Sequence, residues 1–191
     1  MNVYLRNKRV ALDPTRSLGK GGEAEVFDLG GGRALKLYKA PDHPDYQGLP
    51  DEQRAAEERI AAHQTKLRAF PTGLPRQVVA PGALATDRRG QHVLGYEMAL
   101  VAPAEPLLRY ADPVFRRAGV AGATVVTLFR QLWMAVDALH AAGVVIGDFN
   151  DVNVLVTAGS LSPHSRAGSI RGPHTLPTHP RACGATASRR G

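Results

Sequence analysis

Gly19-Lys20-Gly21-Gly22-Glu23-Ala24-Glu25-Val26-Phe27-Asp28-Leu29-Gly30-Gly31-Gly32-Arg33-Ala34-Leu35-Lys36-Leu37-Tyr38 is the stretch on which the reading of this chain turns. Its first glycines carry no Cβ, so backbone N–H groups there can approach a phosphate with no side chain in the way. A dinucleotide-binding glycine loop opens a helix. Here the glycines run instead into the alternation Ala24, Val26, Phe27, Leu29 and then into the turn Gly30-Gly31-Gly32, so they join two antiparallel strands. A Walker-type loop is excluded because no Gly-Lys-Ser/Thr occurs. On these residues alone a hairpin turn that merely tolerates glycine competes evenly with a phosphate loop. The following strand shifts that balance. Lys36 stands at an alternating position in an apolar run, ten residues after Val26, where its ammonium could reach phosphates held under the loop. Lys39 reads as an ordinary solvent-facing strand lysine.

Outward from this core the chain divides by composition. Pro41, Pro44 and Pro50 mark a loop, and residues 51–69, rich in Ala, Glu, Arg and Gln, predict a mostly polar helix. Residues 77–85 and 91–101 predict a further strand pair, split by the turn Asp87-Arg88-Arg89-Gly90. In residues 124–142, Val125, Leu128, Phe129, Leu132, Val136 and Leu139 recur at helical spacing, which predicts a core helix. Gly143 follows where a left-handed cap belongs. A five-stranded antiparallel layer, one early helix and then helices make a two-lobed α+β domain. Residues 158–191 hold only scattered Leu and Ile among Gly, Ser, Thr, Pro, His and Arg, and are expected to be disordered.

A second constellation follows the long helix: Val145-Ile146-Gly147-Asp148-Phe149-Asn150-Asp151-Val152-Asn153-Val154-Leu155-Val156. Carboxylates and amides this dense can be a polar loop capping itself through Asx turns. Asp148 and Asn153 also keep an Asp-x-x-x-x-Asn spacing between a helix and a strand.

With both constellations in order, residues 13–157 resemble the protein-kinase-like phosphotransferases, whose glycine loop G-x-G-x-x-G-x-V precedes an A-x-K strand and a D-x-x-x-x-N loop. The resemblance implies a complete N-lobe over residues 1–101, a partial helical C-lobe over 102–157, and a basic tail. It implies ATP and Mg²⁺ as cofactors, with Gly19, Gly21, Gly22 and Val26 around the nucleotide. Lys36 would lie on the α/β-phosphates, Asp148 would be the base, and Asn153 would hold Mg²⁺. Glu57 would pair with Lys36 from the early helix, and Met98 would stand near the adenine. Departures are visible as well. Ala24 replaces the third glycine, Ile146 and Gly147 replace the usual His-Arg, and Asn150 replaces the usual lysine. Gly147-Asp148 is similar to the sugar and antibiotic phosphotransferases, and the loop to bacterial kinase-like proteins sometimes fused to helix-hairpin-helix modules. No Asp or Glu follows Asp151, so the second metal-binding aspartate of that family has no counterpart. The expectation is an ATP-dependent phosphotransferase of Ser/Thr-kinase type, impaired as this chain and truncated or frameshifted in its C-lobe. The alternatives are a non-catalytic ATP-binding pseudokinase or a small-molecule kinase; the acceptor, protein or small molecule, is left open.

Composition narrows the partners. The net charge of +7 owes five arginines to residues 158–191, leaving 19 basic against 17 acidic residues in 1–157. That spread lacks the concentrated basic face of a nucleic-acid binder. No run approaches the ~18–20 apolar residues of a membrane helix, and the start has no signal-like apolar segment, so a cytoplasmic protein with no membrane partner is expected. A single cysteine, Cys183, excludes an intramolecular disulfide.

Overall fold

A computed structural model describes residues 2–146, 149–151 and 153–157, and the backbone of two strands at 160–162 and 170–171. The chain opens with β1 (Asn2–Leu5) and β2 (Lys8–Ala11), a hairpin whose two linking residues, Arg6 and Asn7, both have positive φ. Two consecutive left-handed residues make the tight turn whose twist matches paired strands. Then come β3 (Ser17–Lys20), β4 (Ala24–Gly30), β5 (Arg33–Tyr38), α1 (Pro50–Lys66), β6 (Leu84–Thr86) and β7 (Val93–Ala99). These strands form one antiparallel sheet in the order β2-β1-β6-β7-β5-β4-β3. The expected glycine-linked pair is therefore present as β3 and β4, and the Gly30–Gly32 turn as the link from β4 to β5. The sheet has seven strands rather than five, because the N-terminal hairpin adds two. The strand expected over 77–85 shrinks to β6.

Alternation on β5 assigns the two faces. Leu35 and Leu37 pack with Val3, Leu5, Phe27 and Ala85 on one side. Lys36 and Tyr38 point to the other, where Ala24, Val93, Tyr96 and Leu67 form a second core under α1. α1 starts with a proline at its first turn and carries Asp51 and Glu52 there, with Lys66 in its last turn, the charge order its dipole favours. Its apolar stripe is thin, and Gln64 makes up for it. The Gln64 amide donates to the Val93 carbonyl (2.9 Å) and its carbonyl accepts from the Val93 amide (2.7 Å), clamping α1 to β7. Between β7 and β5 the approach is close at Gly95. A Cβ there would overlap the Lys36 carbonyl oxygen and stand 3.0 Å from Leu37 Cα.

The second half holds β8 (Glu105–Pro106), α2 (Pro113–Arg117), α3 (Gly122–Ala141), β9 (Val145–Ile146) and β10 (Leu155–Thr157). α3 matches the helix expected over 124–142. Gly143, with φ 73°, follows it, and the Val144 amide closes back on the Leu139 carbonyl at 3.0 Å. Leu128 and Leu132 of α3 pack with Leu107, Val154 and Val156. Phe129, expected in that core, lies on the opposite flank and is exposed with Val126 and Trp133. The tail expectation is corrected in part. β11 (Ser160–Ser162) pairs with β10, and β12 (Ile170–Arg171) pairs with β9, each using backbone groups that a strand edge leaves open. The remaining residues of 158–191 lie outside the described set. Among the described residues no helix is long and apolar enough to cross a membrane.

Candidate nucleotide site

The glycine hairpin is set by its own closing bond, from the Gly21 amide to the Ala24 carbonyl at 2.8 Å. Around that tip the sheet places Gly19 opposite Val26, Val26 opposite Lys36, and Lys36 opposite Tyr96, one row across four strands. Gly19, Gly21 and Gly22 do not have positive φ. A Cβ added at Gly19 or Gly22 would meet nothing within 4 Å, and at Gly21 only an ordinary contact with the Ala24 carbonyl. Neither backbone conformation nor internal packing therefore calls for glycine at these places. The space a side chain would fill stands open beside Gly19 and Gly22.

Lys36 is buried on the α1 side of β5, with its ammonium 5.8 Å from the centre of the Tyr38 ring. His63 of α1 stacks on that ring at 4.2 Å. Burial, and next the positive charge of Lys36, push the His63 imidazole down to about 4, so it is neutral at physiological pH. Its Nε2 has no hydrogen-bond partner among the described residues. Burial, and secondarily the charge of Glu23, raise the Tyr38 hydroxyl well above the usual phenol range.

The inward positions of α1 are Ala56, Ile60 and His63, continued by Leu67 at its C-cap. Glu57 was expected among them and is exposed instead. One residue along from Ala56, it is rotated by about 100° off the buried stripe. Met98 is partly buried, packed against the core of Ala24, Tyr38, Val93 and Tyr96, and opposite Ala34. It thus shares the Lys36 face of the sheet.

Lys39 also departs from its expected solvent-facing role. Its side chain is 5 % exposed, and its ammonium donates to the Gly21 carbonyl (2.6 Å) and to Asp45 Oδ2 (2.5 Å). The hydrogen bond from Lys39 holds the Asp45 carboxyl below the usual carboxylate range. The Tyr46 hydroxyl donates to the Gly22 carbonyl (2.7 Å), the Lys39 amide donates to the Glu23 carbonyl (3.0 Å), and Arg59 of α1 pairs with the Glu23 carboxylate (3.1 Å). The connector from β5 to α1 thus grips the glycine turn. Sequence reasoning missed Lys39, Tyr46 and His63. Only His63 carried a local signal, its spacing of three from Ile60 and seven from Ala56.

In the second constellation Asp148 and Gly147 lie outside the described residues. Asn153 is buried, and its amide hydrogen-bonds to both the side-chain (3.0 Å) and backbone (3.2 Å) oxygens of Asn150, an Asx-type turn. The Leu107 amide to the Val154 carbonyl (2.8 Å) and the Leu108 amide to the Asp151 carbonyl (3.2 Å) hold the segment in place. Self-capping and the Asp-x-x-x-x-Asn spacing therefore coexist. For Mg²⁺ the donor set is thin: among the described residues no three His, Cys, Asp or Glu side chains converge. Neither a protein-family model nor a characterised protein sequence matches the chain.

Proposed function

We propose that this chain binds ATP in the manner of protein-kinase-like phosphotransferases, and that the reaction class is phosphoryl transfer from ATP to an acceptor hydroxyl. One observation carries the reading. Neither backbone angle nor packing requires glycine at 19 and 22, and β4 alone separates Gly19 from Lys36 in the row Gly19, Val26, Lys36. Lys36 supplies a fixed positive charge to the phosphates, and the glycine turn supplies backbone amides. Asp148 is assigned as the base that takes the acceptor proton, with Asn153 on the Mg²⁺ that offsets phosphate charge when bound.

The direct test is a thermal-shift titration of residues 1–191 with Mg-ATP, repeated for Lys36→Ala. The reading requires a saturable rise in melting temperature that Lys36→Ala removes. No rise in the wild type sinks it. A second reading, nucleotide binding without transfer, is favoured by His63. It is a neutral imidazole on the inner face of α1, where the resemblance implies a glutamate. ATP-dependent phosphorylation that Asp148→Ala abolishes would decide for transfer.

A further inference from the structure

Three successive carbonyls of the glycine turn, those of Gly21, Gly22 and Glu23, accept hydrogen bonds from one short segment: Lys39 Nζ, the Tyr46 hydroxyl and the Lys39 amide. In a trans peptide the carbonyl of one residue and the N–H of the next point in opposite directions. Tying the Gly21 and Gly22 carbonyls to the connector therefore turns the Gly22 and Glu23 amides away from it. Among the described residues neither amide has an acceptor. Two adjacent amides aimed to one side form a small anion-binding concavity, and beside Gly22 a side chain's worth of space is open.

We propose that Lys39 and Tyr46 are positioning residues for phosphate. By holding the turn carbonyls on the connector side, they present the Gly22 and Glu23 amides to a polyphosphate. Lys39 acts here through the backbone and not as a second phosphate cation, because Asp45 already shares its ammonium. Tyr46 is buried and donates its hydroxyl to the Gly22 carbonyl of the turn. The connector thus fixes in advance an orientation that a free glycine turn would have to adopt on binding, at an entropic cost. This inference rests on the nucleotide-binding reading above and assigns it two residues outside the glycine loop and its lysine strand.

The test compares ATP with adenosine, which has the same base and sugar but no phosphate, on full-length Tyr46→Phe, Lys39→Met and Lys39→Arg. Tyr46→Phe is expected to weaken ATP about three- to tenfold and leave adenosine within about twofold, the scale of one orienting hydrogen bond. Lys39→Met is expected to lose more, and Lys39→Arg to recover part of it. In ¹H–¹⁵N spectra, ATP is expected to shift the Gly22 and Glu23 amides in wild type and to shift them less in Tyr46→Phe. Parallel loss of ATP and adenosine affinity would make both residues merely structural and overturn the proposal. So would unchanged ATP affinity in Tyr46→Phe and Lys39→Met; if Lys39→Met does not fold, Tyr46→Phe alone decides. A wild type that binds adenosine and ATP equally removes the phosphate site itself, and this inference goes with it.

Discussion

Gly95→Ala changes one hydrogen to a methyl where β7 and β5 approach closely. The new Cβ would overlap the Lys36 carbonyl oxygen and lie 3.0 Å from both Lys36 C and Leu37 Cα. All three are backbone atoms of β5, so no side chain can swing aside to relieve the contact. Gly95 does not have a positive φ, so alanine is otherwise allowed there, and its lower unfolded-state entropy favours folding by about 0.4–1 kcal/mol. Overpacking of a rigid site costs about 1–3 kcal/mol and occasionally more. An obstructed backbone belongs at the upper end, so the net expected loss is roughly 2 kcal/mol or greater. Relief requires β7 and β5 to part beside Lys36, so ATP affinity should fall along with stability. Urea unfolding with a shared slope measures the first, and a Mg-ATP titration the second. A Gly95→Ala variant within about 0.5 kcal/mol of wild type would refute the claim that this crossing locks Lys36 in place.

Gly19→Ala provides the contrast, since its Cβ meets nothing. Its stability should match or slightly exceed wild type by up to about 1 kcal/mol, while ATP affinity drops; retained ATP affinity would detach the glycine from the nucleotide. His63 binds its proton at about 4 when folded, against an ordinary value of 6.5 when unfolded. Between those values the unfolded chain takes up the proton and the folded one does not, so stability falls as pH drops from about 6.5 towards 4, by roughly 2–3 kcal/mol. His63→Leu should flatten that window, which lies above the range where Asp13, Asp28 and Asp45, all lowered by hydrogen bonds, lose their contribution; an unchanged pH profile by chemical denaturation would show that His63 is not the group. Gln64→Leu removes both bonds to Val93 and should cost about 1–3 kcal/mol in the same assay. A neutral result would mean that the clamp does not hold α1 to the sheet.

Local chemistry made part of this molecule legible in advance. The glycine hairpin, the Gly30–Gly32 turn, the paired strands around Lys36 and the long helix ending before Gly143 all follow from signals within a few residues: alternation, helical spacing and glycines where the chain must turn. The N-terminal hairpin was overlooked because its strands are four residues long and its turn residues are Arg6 and Asn7 rather than a glycine pair.

Other features depended on groups that come together only in three dimensions. The rotation of α1 is chosen by its docking, with Gln64 on Val93 and His63 on Tyr38, so His63 and not Glu57 faces the sheet. Lys39 is buried because Asp45 and the Gly21 carbonyl supply partners from either side of it in the chain, which nothing in the run 34–39 announces. Sequence alone determined that a glycine hairpin precedes a lysine-bearing strand in an α+β chain. Tertiary structure decided which side chains hold that hairpin and which residue faces the lysine, because burial and hydrogen-bond pairing belong to the packed molecule and not to any one segment.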